Sequence, residues 1–434
     1  MGEAWALSPL EGRYASYIRE LRPYLSEAAF FLYRLRIETA YLRELVSLSL
    51  PPLKELSLSY IEALEQTYES RIEQVWPQLK AIEQITRHDV KAIEYFLREQ
   101  WSRILPSQWH HALAFIHFGL TSQDINTTAQ ALMQRDALHT VYLPQLQSLI
   151  RKLHALAYEW REQTMLSFTH GQPASPTTLG KELYVFVTRL KVEYEHLCNL
   201  PFWTKLGGAV GNLNAHYFAY PAIDWEGFFD RFAQRLGLKR FAPTTQILPY
   251  ERWAELWDSL RRLQAVLIDL AQDLWLYAHR GYIQVQRTQG QIGSSTMPHK
   301  SNPVQFELAE GNLRLSNLLW GFFSEKLPVS RLQRDLTDST ILRNLGVALG
   351  YGLVGILALQ EGIERITPNP HRIQEDMRQH PEVLAEAWQV LQRREGNIDA
   401  YELALRQVEE GTFIPPADFE EYRGKAPSYV QPPE

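Results

Sequence analysis

Cysteine is almost absent from this 434-residue chain, where Cys198 stands alone. One thiol excludes an intrachain disulfide and a cysteine-rich metal site, and a reducing cytoplasm is the expected compartment. Positive charge is not in excess either. Forty-four Lys and Arg against 50 Asp and Glu leave a net charge of −6, so no global basic field exists to attract nucleic acid. An anionic ligand must instead be met by a local cluster of cations. HExxH is missing, and the 13 histidines show no convincing metal-ligand spacing; His110 and His111 are neighbours that point in different directions on a helix. Without a Walker loop or a dinucleotide glycine fingerprint, neither ATP nor NAD is expected, and no other cofactor is implied. Met1 to Leu10 lacks a basic segment followed by an apolar run, so no secretory signal is expected. No uninterrupted apolar stretch reaches membrane-spanning length, and no membrane is expected.

What is present is ordinary globular material, 45% hydrophobic and 22% charged, with apolar residues at helical spacing almost throughout. Leu256, Leu260, Leu263, Leu267, Leu270, Leu274 and Tyr277 alternate steps of four and three, as in a coiled-coil seam. Leu146, Leu149, Ile150, Leu153, Leu156, Ala157 and Trp160 form a second face, with Pro144 near the helix start. Leu183, Phe186, Leu190, Tyr194 and Leu197 form a third. The stretch from Leu345 to Ile366 is rich in Gly, Ala and Leu, which suits a closely packed central helix. No run of alternating strands stands out. The expected fold is all-α: an elongated central bundle of long helices flanked by smaller helical domains. Breaks near Pro106-Ser107 and Thr367-Pro370 place the domains at 1–110, 111–366 and 367–434. Broad apolar faces on long helices favour association with further subunits.

Several polar clusters interrupt this pattern. Gly293 to Pro303 supplies adjacent hydroxyls (Ser294, Ser295), a glycine hinge, the Lys300 ammonium, the Asn302 carboxamide and two prolines. Such a run is poor core material. It suits a loop that closes over an anion, with backbone N–H groups forming a nest and Lys300 adding a full charge. Ser167 to Thr178 places His170 among hydroxyls and a Gly-Gln-Pro turn, and imidazole suits a proton donor near neutral pH. Arg87-His88-Asp89 sets a cation, an imidazole and a carboxylate in sequence, and alone reads as a charged helix surface. His117 to Asp124, with Thr121 and Ser122, could simply cap a helix. Arg13-Tyr14 pairs a fork suited to phosphate with a ring suited to a base. Ser330 to Asn344 carries Arg334 and, four residues apart on one helical face, Ser339 and Arg343.

The loop pattern GSSxMPxKxNP resembles the mobile catalytic loop of the fumarase/aspartase superfamily. Together with TRHDV, FIHFGLTSQD, FTHGQPASPTTLGK and SRLQRDLTDSTILRN, it is similar to the adenylosuccinate lyases, the bacterial branch most closely. The resemblance runs from Gly12 to about Leu345, and the part after Ile366 is short and weakly matched. It implies β-elimination of fumarate from adenylosuccinate or SAICAR, giving AMP or AICAR. It makes Ser294 the base, His170 the general acid and Glu307 the carboxylate that orients the histidine. Substrate binding falls to Arg13, Tyr14, Arg87, His88, Asp89, His117, Thr121, Ser122, Gln246, Ser295, Lys300, Asn302, Arg334, Ser339 and Arg343. It also implies a homotetramer with shared active sites. The alternatives are another lyase or cycloisomerase of the superfamily, such as a carboxymuconate cycloisomerase, and a non-catalytic crystallin-like relative.

Overall fold

Ser26 opens the first long helix by accepting the Ala29 amide on its side chain, which satisfies one of the N–H groups a helix start leaves unpaired. The structure, a computed structural model, describes residues 5–287, Met297 and 301–433. Its principal helices are α1 (Glu27–Ser47), α2 (Ile72–Thr86), α3 (Asp89–Ile104), α4 (Ser122–Ala137) and α5 (Leu143–Glu159). They are followed by α6 (Leu179–Asn199), α7 (Glu251–Arg280), α8 (Val304–Lys326), α9 (Thr337–Leu342) and α10 (Leu345–Ile363). Three shorter helices, α11 (Pro370–Gln379), α12 (Ala385–Arg394) and α13 (Ala400–Glu409), lie beyond. The all-α expectation holds.

The chain forms two compact units, each assembled from separated stretches. The first comprises 1–144, 197–261 and 316–351; the second comprises 145–196, 262–315 and 352–434. The core of the first unit includes an aromatic cluster. Trp257 stacks on Trp320 at 6.4 Å between centroids and meets Phe323 edge-on. Its indole N–H is satisfied by Gln134 Oε1 at 2.9 Å. In the second unit the sequence seams are the buried stripes: Leu263, Leu267, Leu270 and Leu274 on α7, Leu146, Leu149 and Leu153 on α5, Leu183 and Leu190 on α6. Each such side chain contributes roughly 1.5–3 kcal/mol relative to exposure.

Pro144 is the second residue of α5, and the turn before it, Leu138–Tyr142, is a π-turn. Widening the helix there relieves the clash between a proline ring and the preceding carbonyls.

Two features depart from expectation. Strands do occur: β1 (Thr164–Thr169) pairs antiparallel with β2 (Gln172–Thr178), β3 (Trp203–Thr204) pairs with β4 (Lys239–Arg240), and β5 (Ile283–Val285) pairs with β6 (Ile366–Pro368). The β1–β2 hairpin shows no period-2 alternation because its burial is graded along its length, from buried base to exposed tip. The segment Thr337–Ile363 is also long and apolar enough to cross a membrane, although no unbroken apolar run of that length was expected. Ala348, Leu353, Val354, Ile356, Ala358 and Leu359 are buried within the protein, as in the core helix of a globular fold.

Candidate active site

Helix α1 is buried on most sides, so its polar side chains must find partners inside the protein. Arg34, Glu38 and Tyr41 follow at steps of four and three and share one face. Arg34 donates through Nε to Asn126 on α4 (2.8 Å) and through Nη2 to Asp89 at the start of α3 (2.8 Å). Asp89 also accepts from Arg343 Nη2, just beyond α9, at 3.0 Å. Burial by itself would raise the Asp89 carboxyl, but the Arg34 and Arg343 guanidiniums overcome it and hold the group at about 2.

From Asn126 the hydrogen bonds continue across the first unit. The Asn126 amide donates to Gln123 Oε1 at 3.0 Å, and Gln123 Nε2 donates to Asp338 Oδ2 at 2.8 Å. The same Asp338 oxygen accepts from the Tyr250 hydroxyl at 2.9 Å. Its other oxygen accepts the Ser339 amide at 2.6 Å and lies 3.7 Å from Arg334 Nη2. Arg334 Nη1 donates to Gln246 Oε1 at 3.0 Å. One connected network therefore gathers Asp89, Gln246, Arg334, Ser339 and Arg343, which come from three distant stretches of sequence. Asp338 fixes the start of the short helix α9, and Asp89 fixes the arginine at its end.

Beside it, His88 caps α3 by accepting the Lys91 amide on Nδ1 (3.1 Å), which turns Nε2 towards the Ser122 hydroxyl at 3.4 Å. Thr121 starts α4 in a capping box with Asp124. Asp124 is fully buried; it accepts Lys205 Nζ at 2.6 Å and the backbone amides of Thr121, Gly207 and Gly208. The turn before Thr121 is equally constrained. Tyr41 donates to the Phe118 carbonyl at 2.8 Å, and Gly119, at φ +69°, sits where a Cβ would lie 2.7 Å from the His216 ring. His117, at φ +59°, holds Nδ1 2.6 Å from Glu38 Oε1. Arg13 and Arg87 are exposed and Tyr14 is half-buried, and among the described residues none of the three joins the network.

The second unit carries the remaining expected residues. His170 and Gly171 form the two-residue tip of the β1–β2 hairpin, both with positive φ (+54° and +75°). That is the backbone a tight type I′ hairpin turn demands. The His170 ring is exposed at this tip. Glu307, in the first turn of α8, accepts the Trp275 indole N–H at 3.0 Å, and among the described residues no hydrogen bond joins it to His170. Asn302 lines a cavity of about 70 Å³ with Ser301, Gln286, Arg287 and Arg365. Ser294, Ser295 and Lys300 lie outside the described residues.

Sequence reasoning missed Arg34, Glu38, Gln123, Asn126 and Asp338 as parts of this arrangement. Gln123 and Asp338 sit inside the polar clusters already noted. Arg34 and Glu38 lie four apart on one helical face, but Arg36, Arg43 and Glu44 share the helix, so the charges alone carry no signal of burial.

The family model described as lyase matches residues 14–315, and that described as adenylosuccinate lyase C-terminal matches residues 330–423. The second match corrects the expectation that likeness fades after Ile366. The adenylosuccinate lyase of Dictyostelium discoideum is 44% identical over 410 residues, covering 93% of this chain and 87% of that protein. That of Escherichia coli (strain K12) is 40% identical over 413 residues, covering 94% and 89%. Among solved structures, the 3-carboxy-cis,cis-muconate lactonizing enzyme from Pseudomonas putida superposes with a TM-score of 0.74. The match covers 96% of this chain and 97% of that one, at 22% identity, a likeness of fold alone.

Proposed function

The chain belongs to the adenylosuccinate lyase family, and on that premise we propose that it eliminates fumarate from adenylosuccinate to give AMP, and from SAICAR to give AICAR. The observation that carries this reading is the network that gathers Asp89, Gln246, Arg334, Ser339 and Arg343 in one unit. It provides a local cluster of cations in a chain whose net charge is −6, which a nucleotide substrate requires.

In this reading Arg334, Ser339 and Arg343 hold the phosphate and ribose side, with Gln246, Arg13, Tyr14, Arg87, His88, His117, Thr121 and Ser122 completing the substrate contacts. Asp89 acts on the substrate through Arg343, since a carboxylate would repel a phosphate while a guanidinium fixed by that carboxylate attracts it. Ser295, Lys300 and Asn302 bind the succinyl carboxylates. Ser294 removes the proton from the carbon next to a carboxylate, and the electron pair left there expels the nitrogen as the C–N bond breaks. His170 protonates that nitrogen, so the products are the free amine and fumarate. Serine is a weak base, and cationic and N–H groups must stabilise its oxyanion and the developing carbanion. A histidine exposed on a tight hairpin tip supports proton delivery to a group brought against it, and Glu307 is its orienting carboxylate in the assembled enzyme.

That assembly is a homotetramer with shared sites. Apolar side chains left exposed on the long helices support it: Val192 on α6, Leu276 on α7, Leu318 and Phe322 on α8. Light scattering should give four times the 50.4 kDa of one chain; a monomer would refute it. The compartment proposed is the cytoplasm.

The test of the reaction follows adenylosuccinate absorbance and fumarate release together. A carboxymuconate cycloisomerase shares the fold but would leave adenylosuccinate untouched, and a crystallin-like protein would turn over neither substrate.

A further inference from the structure

The Glu38 carboxylate is fully buried, and among the described residues its only hydrogen-bonding partner is His117 Nδ1, 2.6 Å from Oε1. The other oxygen, Oε2, has no partner. A buried carboxylate with one unfilled oxygen is costly unless a charge faces it. The neighbouring acids are differently placed: Glu94 on α3 is paired with Lys91 (2.7 Å) and Arg98 (2.6 Å), and Asp124 on α4 with Lys205 (2.6 Å). Of these three, Glu38, on α1, is the one that depends on an imidazole.

His117 is held for that role by its backbone. It adopts φ +59°, Gly119 follows at φ +69° against the His216 ring, and Tyr41 secures the Phe118 carbonyl between them. With Nδ1 committed to Glu38, the free edge of the ring is Nε2, which makes no hydrogen bond among the described residues. Four residues on, Thr121 and Ser122 begin α4.

We propose that Glu38 is a positioning residue that keeps His117 doubly protonated, so that Nε2–H is offered to an anionic oxygen of the nucleotide substrate, phosphate or carboxylate. This deepens the reading of the chain as an adenylosuccinate-cleaving enzyme and rests on it. Electrostatics agree in direction. Burial would lower the His117 pKa, but Glu38, with Glu94 and Asp124 behind it, raises it above the ordinary 6.5. The imidazolium is then complete below the ordinary value, persists above it, and is lost only as pH rises through the raised value.

The experiment is calorimetric titration of the whole protein and of Glu38→Gln with AMP and, separately, with fumarate across neutral pH. In the unmodified protein, affinity for one of the two holds through neutrality and falls at higher pH. In Glu38→Gln that fall begins at lower pH, so affinity drops roughly tenfold about one unit above the ordinary imidazole pKa and returns on acidification. A loss confined to AMP assigns the phosphate; a loss confined to fumarate assigns a carboxylate. Equal affinities and equal pH dependence in the two proteins overturn the proposal. Should Glu38→Gln fail to fold, His117→Gln serves: its affinity should not change with pH across that window, and a curve like that of the unmodified protein overturns the proposal. Binding is read without turnover, so failure of the lyase reading appears separately, as adenylosuccinate left intact.

Discussion

Gln123 Nε2 donates to Asp338 Oδ2 at 2.8 Å, joining two side chains 215 residues apart in sequence, both almost fully buried. Through this bond the start of α9, which carries Ser339 and leads to Arg343, is tied to α4 and from there to Arg34 and Asp89. The arginines that face the nucleotide in the proposed function are thus set by a buried polar network rather than by the surface helix on which they appear to sit.

Removing the hub tests that description. Asp338→Ala strands the Gln123 amide and the Tyr250 hydroxyl without their acceptor, and should cost about 2–4 kcal/mol in denaturant unfolding. The surviving enzyme should show a raised KM for adenylosuccinate with a smaller change in kcat. A variant as stable as the original would mean the network does not hold the site.

The proton-transfer groups should behave in the opposite way. His170→Asn keeps a residue tolerant of positive φ at an exposed hairpin tip, so stability should change little while kcat falls by about a hundredfold or more. Ser294→Ala should do the same. Near-normal turnover in either variant removes that residue from its role.

Arg343 should act on binding. Arg343→Ala is expected to raise KM for adenylosuccinate far more than it lowers kcat, because a phosphate contact is made equally in ground and transition states. An unchanged KM would count against the contact.

Asp89 gives a pH signature. Its folded-state value of about 2 lies below the ordinary 3.8, so the pairing with Arg34 and Arg343 contributes stability above the ordinary value and loses it as pH falls through the folded one. The gap in Tm between the unmodified protein and Asp89→Asn should therefore be largest near neutrality and close on acidification. A gap independent of pH would contradict the ion pair.

Much of the scaffold was legible because apolar seams on α5, α6 and α7 face the core and leave their period in the sequence. The β1–β2 hairpin was not, since its burial changes along the strands instead of across them. Among site residues, Arg334, Ser339, Arg343 and Asp89 stood out as concentrated polarity. Arg34 and Glu38 did not, because a charge on a helix ordinarily reads as solvated, and only the burial of α1 turns it into an internal partner. The structure also commits one Asp89 oxygen to two guanidiniums, Arg34 and Arg343, which sequence spacing could not show. Gly171 could have signalled the hairpin, as the second residue of a two-residue turn between hydroxyl-rich stretches.

The most direct test of the account is a stoichiometric assay of the purified protein with adenylosuccinate, measuring nucleotide absorbance and fumarate in the same sample. The account predicts one AMP and one fumarate for each adenylosuccinate consumed. Folded protein that leaves adenylosuccinate intact, or that consumes it without releasing fumarate, would contradict it.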